Sequence, residues 1–448
     1  MKIGLEIHVQ LPTRSKLFCG CSTSGDAPNS SVCPICLGFP GSRPFLNRRA
    51  LEMGVLIAKF LNCQITDRVW FARKTYFYPD LPKNFQITQY DTPLGTDGHF
   101  MTGGKKVGIW RVHIEEDPGR IRRVGRAGEE VALIDYNRSG VPLVEIVTAP
   151  DLTSPGEARD FLTDLITELR RLIGVTGEEQ TMRVDANISV GEERVEIKNI
   201  TGLRNVEKGL RSEVTRQSKM LAAGKRIVRE TRHFDEERGV TMPGREKEFE
   251  EDYGYIDEPD LGTYRIGELA ASMVVPETPL VRAARLSSQH EIGIAAARQI
   301  VLTDWALADL FELLAARVGG EAAMSWTMGP LSSSWKELKC KVPELEGDII
   351  NIITEVTEGR MTDSEGRMRL VALACGHETA LNASEEAPDD LEEIIVKIVR
   401  EHPEVVKDYR INERAANFLI GQVMKATKGR YSSKVVAERM RKELEKGV

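Results

Sequence analysis

Five short stretches of this chain alternate apolar and polar residues with period two. A run of that kind is held as a half-buried β-strand, because successive side chains leave opposite faces of the pleat. In residues 3–10, Ile3, Leu5, Ile7 and Val9 oppose Glu6, His8 and Gln10. In 111–117, Val112 and Ile114 oppose His113 and Glu115 before Glu116 and Asp117 close the segment. In 182–190, Val184, Ala186 and Ile188 oppose Asp185, Asn187 and Ser189; in 194–200, Val195 and Ile197 oppose Glu196 and Lys198; and Glu145 sits between Val144 and Ile146. These segments call for an antiparallel sheet with one face on a core. An α+β domain is therefore expected from residue 1 to about 275, the part of the chain punctuated by Gly and Pro.

The polar faces differ in kind from most solvated faces, which mix Lys, Thr and Arg. Here they carry Glu, Asp, Asn and His, donors that suit a hard divalent cation. Two readings stay open on these residues alone: the wet side of an ordinary sheet, or a concave metal-dependent site in which Mg²⁺ relieves the repulsion of gathered carboxylates. Neither GxxxxGK[ST] nor a GxGxxG opening a helix is found, so a nucleotide would be held through metal and side chains.

The chain of 448 residues is long enough for about three domains. Its net charge of −7 argues against holding nucleic acid by bulk charge, leaving room for a local basic patch. Glu6 and His8 interrupt what would be the apolar part of a secretion signal, and no stretch approaches the 18 apolar residues of a membrane span. A cytoplasmic protein with no membrane partner is expected. Of seven cysteines, Cys19, Cys21, Cys33 and Cys36 crowd into residues 19–36. Two close pairs of thiolates wrap a tetrahedral ion, and four sulfur ligands leave no position for water, so a structural Zn²⁺ is the expectation; an iron–sulfur cluster and unrelated thiols are the alternatives.

One helix is marked within the first domain: Ser154 as N-cap, Pro155 at N1, Glu157 at N3 and Gly174 as stop. Around Pro276 to Pro279 the periodicity changes to about 3.6, with Leu307, Leu310, Phe311 and Leu314 ahead of the stop at Gly319 and Gly320. A helical domain over 276–385 and a small helical tail over 386–448 follow. In the last helix Ser433 is the expected cap, and Val436, Met440 and Leu444 recur every four residues.

The segment LIDYNRSGVPLVEIV, residues 133–147, closely resembles the signature of the B subunits of tRNA-dependent aspartyl/glutamyl amidotransferases. So, in order, do IGLEIHVQL (3–11), RKTYFYPDLPKNFQITQYD (73–91), HIEEDPG (113–119), RVDANISV (183–190), VEIKNI (195–200), ETRHFD (230–235) and NFLIGQVMKATKG (417–429). The chain departs from the family at 252–260, where Gly254, Ile256 and Asp257 replace residues of Asp-Tyr-Arg-Tyr-Phe-Pro-Glu-Pro-Asp, so another residue must do whatever that arginine does. It also has no room for the large inserted domain of an archaeal relative that works with an asparaginase-like partner.

The resemblance implies a catalytic cradle over 1–275, a tail that binds tRNA, and amidase (A) and small C partner subunits. It also implies the reaction: ATP phosphorylates the side-chain carboxylate of misacylated Glu-tRNA(Gln) or Asp-tRNA(Asn), and ammonia from the partner amidase displaces the phosphate. Glu6, His8, Glu116 and Asp185 are the expected Mg²⁺ ligands, with Glu196 for phosphate geometry and Glu115 and Lys198 as further catalytic candidates. Asp135, Asn137, Glu145 and Asn187 are the second choices for ligand or substrate contacts. Tyr76, Tyr78, Asp80 and Lys83 lie in a loop suited either to packing or to stacking on the unpaired acceptor end. Lys425, Lys428, Arg430, Lys434, Arg439, Arg441 and Lys442 are either phosphate contacts or a solvated helix face. A noncatalytic RNA-binding adaptor and a small-molecule carboxylate–amine ligase are the competing functions.

Overall fold

The alternating N-terminal segment is the central strand of a nine-stranded sheet. In the computed structural model, residues 1–125, 131–175, 182–244, 254–375, 391–409, 415–427, 431 and 433–446 are described. The sheet's strands are β1 (Lys2–Gln10), β2 (Gln64–Ile65), β3 (Gly95–Thr102), β4 (Lys105–Glu116), β5 (Pro142–Thr148), β6 (Met182–Ser189), β7 (Val195–Thr201), β8 (Glu230–Asp235) and β9 (Val240–Pro243). They lie in the order β9-β8-β7-β6-β1-β5-β4-β3-β2. All five alternating stretches thus share one sheet. Neighbours are antiparallel except β7 and β8, which run parallel. A parallel pair needs a crossover, and helix α3 (Leu203–Ala222) lies in that connection.

The apolar parity packs as the alternation requires. Ile3, Ile7, Val112, Ile146, Val184 and Ile197 are fully buried, each side chain contributing about 1.5–3 kcal/mol by leaving water. The helices α1 (Arg48–Phe60), α2 (Pro155–Ile173) and α3 pack against the sheet or each other. Helix α2 has the ends its sequence specifies: Ser154 Oγ accepts the Glu157 N–H at 3.1 Å, and Gly174 adopts φ 71°, the left-handed conformation that ends a helix at glycine.

The chain divides into two compact units, Met1–Thr278 and Pro279–Val448. The second is helical and holds two hydrophobic cores. One gathers Leu286, Ile300, Phe311, Leu314, Trp326, Ile353 and Leu370; the other gathers Leu391, Ile395, Leu419, Val423, Val436, Met440 and Leu444. Gly319 ends the Trp305–Val318 helix at φ 85°, and Asp304 caps its start by accepting the Ala306 N–H. The side chain of Ser433, like Lys428, Arg430 and the side chain of Lys434, lies outside the described residues. Among the described residues no helix is long and apolar enough to cross a membrane.

Candidate active site

Register brings the polar parity of the central strands together. On β1, Glu6 stands opposite Asp185 of β6, and His8 opposite Glu145 of β5. Glu145 in turn faces His113 of β4, and Asn187 faces Glu196 of β7. Two ligand groups result, His8 with Glu115 and Glu145, and Glu6 with Asp185 and Glu196; within each, one donor atom per residue lies within 4.8 Å of the others. Beside them a cavity of about 180 Å³ is bounded by Glu6, His8, Glu115, Asp185, Arg183 and Lys198, and by Lys74, Tyr76 and Gln86 from a neighbouring segment.

The first group is a web of imidazoles and carboxylates. His8 Nε2 lies 3.2 Å from Glu145 and 3.7 Å from Glu115, and His113 Nε2 lies 3.5 and 3.8 Å from the same pair. Burial alone would push the His8 imidazole down, but the bond to Glu145 and the charges of Glu145, Glu115 and Asp185 carry it up to about 9. Burial likewise opposes ionisation of Glu145 and Glu115, and the two histidines override it, holding both carboxyls below the usual range.

The second group has carboxylates in excess. Glu6 is pushed up, first by burial and then by Glu145, Asp185 and Glu196, with only the Asn187 amide, which donates to it at 3.0 Å, working the other way. Asp185 sits at a register shift of β6 against β7, and its Oδ1 accepts the N–H of Asn199 at 2.6 Å. Asn199 adopts φ 56°, a backbone conformation that asparagine tolerates better than most residues. Lys198, raised by Glu196, Asp185 and Glu6 against its burial, is the nearby cation. The Oδ1 of Asn187 is buried with no hydrogen-bond partner. An unbonded oxygen among gathered carboxylates and an imidazole is a donor set that fits a hard divalent cation such as Mg²⁺.

Glu116 needs correction as a magnesium ligand. It follows Glu115 on the strand, so parity turns it to the other face, where Lys83 donates to both its oxygens at 2.6 and 2.7 Å and Ile87 donates its N–H at 2.7 Å. Lys83 is thereby an internal ion-pair partner, not a residue of the cradle cavity. Asp135 and Asn137 are corrected in the same way. Asp135 accepts the N–H groups of Asn29 and Asn137, while Asn137 accepts from Ser31 and donates to Ala27, so both tie their turn to the cysteine loop. Glu145 and Asn187, second choices in the sequence, lie with the two ligand groups. Tyr76 borders the cavity, Tyr78 is half-exposed, and Asp80 accepts no hydrogen bond at its buried Oδ1. His113, Arg183 and Lys74 were not among the candidates. The alternation carried His113 and Arg183, which share the polar parity of their strands, but Lys74 required knowledge of which segments are neighbours.

The four thiols of Cys19, Cys21, Cys33 and Cys36 also meet within 4.8 Å and can hold a metal such as zinc. Gly38, which closes the second pair, has φ 69°, and a Cβ there would lie 2.5 Å from Lys83 Cγ, so backbone and space both require glycine. Lys16, fully buried, directs its Nζ to Cys36 Sγ at 3.7 Å and to the Tyr136 carbonyl at 3.2 Å. Cys36 is held down at about 4, first by the bond from Cys19 and against burial, with Cys33 and Lys16 adding to the effect.

Residues 1–271 match the family model of the GatB/GatE catalytic domain, and residues 309–444 match that of the GatB domain. The chain belongs to the GatB family. It is similar to the B subunit of the aspartyl/glutamyl-tRNA(Asn/Gln) amidotransferase of Methanoregula boonei, at 42% identity over 96% of this chain and 95% of that protein. The protein of the same name from Thermomicrobium roseum is 41% identical over 98% and 97%, and that from Haloquadratum walsbyi 37% over 99% and 97%. In the replaced family motif, Asp252 and Tyr253 lie outside the described residues. The GatB-family segment that follows forms a strand, Gly254–Asp257, against Ala72–Thr75. Tyr255 stacks on Tyr90 at 3.9 Å, and Glu258 is buried in a two-point bond with Arg73. Lys74, Lys198 and Arg183, the last bonded to Asp117, line the cradle cavity.

Proposed function

We propose that this chain is the B component of a glutamine-hydrolysing aspartyl/glutamyl-tRNA amidotransferase, working with an amidase (A) subunit and a small C subunit. Its cradle phosphorylates the side-chain carboxylate of misacylated Asp-tRNA(Asn) or Glu-tRNA(Gln) with ATP, and ammonia from the amidase then gives the amide. The observation that carries this reading is the convergence of two carboxylate-rich ligand groups, one with His8, on the polar face of one sheet. Phosphoryl transfer asks mainly for positioning and charge neutralisation. Glu6, Asp185 and Glu196, with His8, Glu115 and Glu145, would hold Mg²⁺, which when bound neutralises charge on the transferred phosphoryl group. Lys198, Lys74 and Arg183 offer positive charge at the rim for phosphate and carboxylate oxygens. Asn187 and Asn199 fix Glu6 and Asp185, so little reorganisation is left for the reaction.

The testing experiment is release of phosphate from ATP, with Mg²⁺, by the chain assembled with its partner subunits. Glu-tRNA(Gln), Asp-tRNA(Asn) and uncharged tRNA are supplied in turn. Release that requires a misacylated tRNA is the expected result and identifies the substrate. No release with any of them, alongside retained tRNA binding, would leave the adaptor reading.

Zn²⁺ is the ion we assign to the four thiols, in a structural role. Cys36→Ser is expected to reduce bound zinc from one equivalent to none, measured by elemental analysis, and to open the segment between Cys19 and Cys36 to proteolysis. Full zinc occupancy in that variant would contradict the assignment.

A further inference from the structure

A concentration of positive charge in the first unit lies outside the candidate active site. Residues 203–229, which are α3 and the segment leading into β8, contain eight lysines and arginines and two glutamates, in a chain whose net charge is −7. The tail helix Ser433–Lys446 carries five cations and three glutamates in 14 residues.

Both α3 glutamates are engaged by arginines. Glu207 is held between Arg159 and Arg211, at 2.8 and 2.6 Å. Glu213, fully buried, receives Arg216 at 2.6 Å, Gln217 at 2.8 Å and the Thr241 hydroxyl at 2.9 Å. The outward face is left cationic. Lys208, Arg211 and Lys219 are exposed along one side of the helix, and among the described residues Lys208 and Lys219 have no carboxylate at ion-pair distance. They span about 16 Å of helix. They form one wall of a groove of about 550 Å³ whose other wall is Gly239, Val240 and Thr241, at the β9 edge of the sheet. Ser212, in the groove, accepts the Thr241 N–H at 3.2 Å and keeps its own proton to donate. Lys225, Arg226 and Arg229, in the segment between α3 and β8, are exposed as well.

We propose that this groove is a second tRNA contact, binding consecutive phosphates of the sugar–phosphate backbone where α3 meets the sheet rim; it rests on the reading that this chain handles charged tRNA. The chemistry selects the ligand. Lysines and arginines in a row, with a hydroxyl donor among them, match phosphate oxygens and carry no base selectivity. Cores of protein–protein interfaces, by contrast, are depleted in lysine.

The test uses the complex of this chain with its partner subunits and the variant Lys208→Gln, Arg211→Gln, Lys219→Gln. Its tRNA dissociation constant is measured across a salt series, with subunit composition followed by size exclusion. The expected result is a rise of about tenfold or more in the dissociation constant at fixed salt. The log–log salt slope should become shallower by about 2, KM for tRNA should rise, and kcat at saturating tRNA should stay unchanged. Lys208→Arg with Lys219→Arg should bind as the wild type does, separating charge from misfolding. Unchanged affinity and slope in the glutamine variant, while the wild type binds tRNA, would overturn this inference and leave the proposed function standing. Loss of a partner subunit from the variant would overturn it in favour of a protein–protein interface. A wild-type complex that binds no tRNA would overturn both.

Discussion

Asp185→Asn is expected to slow tRNA-dependent phosphate release by about 10²-fold or more while leaving the fold intact. The substitution keeps the shape of the side chain and an oxygen for the Asn199 N–H, which now lies at 2.6 Å. What it removes is a negative charge between Glu6 and Glu196, and with it the affinity of the group for a divalent cation. The Mg²⁺ concentration giving half-maximal rate should therefore rise along with the fall in kcat. Near-wild-type rate and Mg²⁺ dependence, in a variant with unchanged melting temperature, would remove this group from the reaction.

Lys83→Met should lower the stability of the first unit by about 3–5 kcal/mol, read from urea unfolding. The pair is buried at both ends, with Lys83 7% and Glu116 4% exposed at the side chain. Deleting the ammonium leaves the Glu116 carboxylate in a poorly hydrated site with the Ile87 N–H as its remaining close donor among these contacts. The double variant Lys83→Met, Glu116→Gln should recover a large part of the loss, because no uncompensated charge remains. A single variant as stable as the wild type would show that water or another cation reaches Glu116.

Much of the cradle was legible because strand parity is a strict rule. The alternation around Glu6, His8, Asp185, Asn187, Glu196 and Lys198 placed those side chains on one face. It could not say which strands are neighbours, and so the partition into two ligand groups came only with the register. Parity also explains Glu116: it follows Glu115, and only one of two adjacent strand residues can face the cavity. Asp135 and Asn137 show a different limit. Carboxylate and amide side chains in a distinctive turn read as ligands, yet they are the residues best suited to hold a turn by bonding backbone N–H groups, and here they do so for the cysteine loop. The cationic face of α3 is hidden in the sequence because its charges are interleaved with Glu207 and Glu213. That those carboxylates are already taken by arginines is invisible until the helix is seen against Arg159 and Arg232.

The position of β1 also bears on how the chain is born. Its two flanking strands, β5 and β6, end at Thr148 and Ser189, so this strand leaves the ribosome long before either neighbour has been made. At about 5–20 residues per second, roughly 7–28 s pass before β5 can cover one edge and up to about 40 s before β6 can cover the other, and until then a half-apolar strand has unpaired edges. A nascent chain of this design needs shelter, from a ribosome-bound chaperone or from temporary pairing with the helices made in between, and its yield in a cell should depend on that shelter more than the finished fold's stability would suggest.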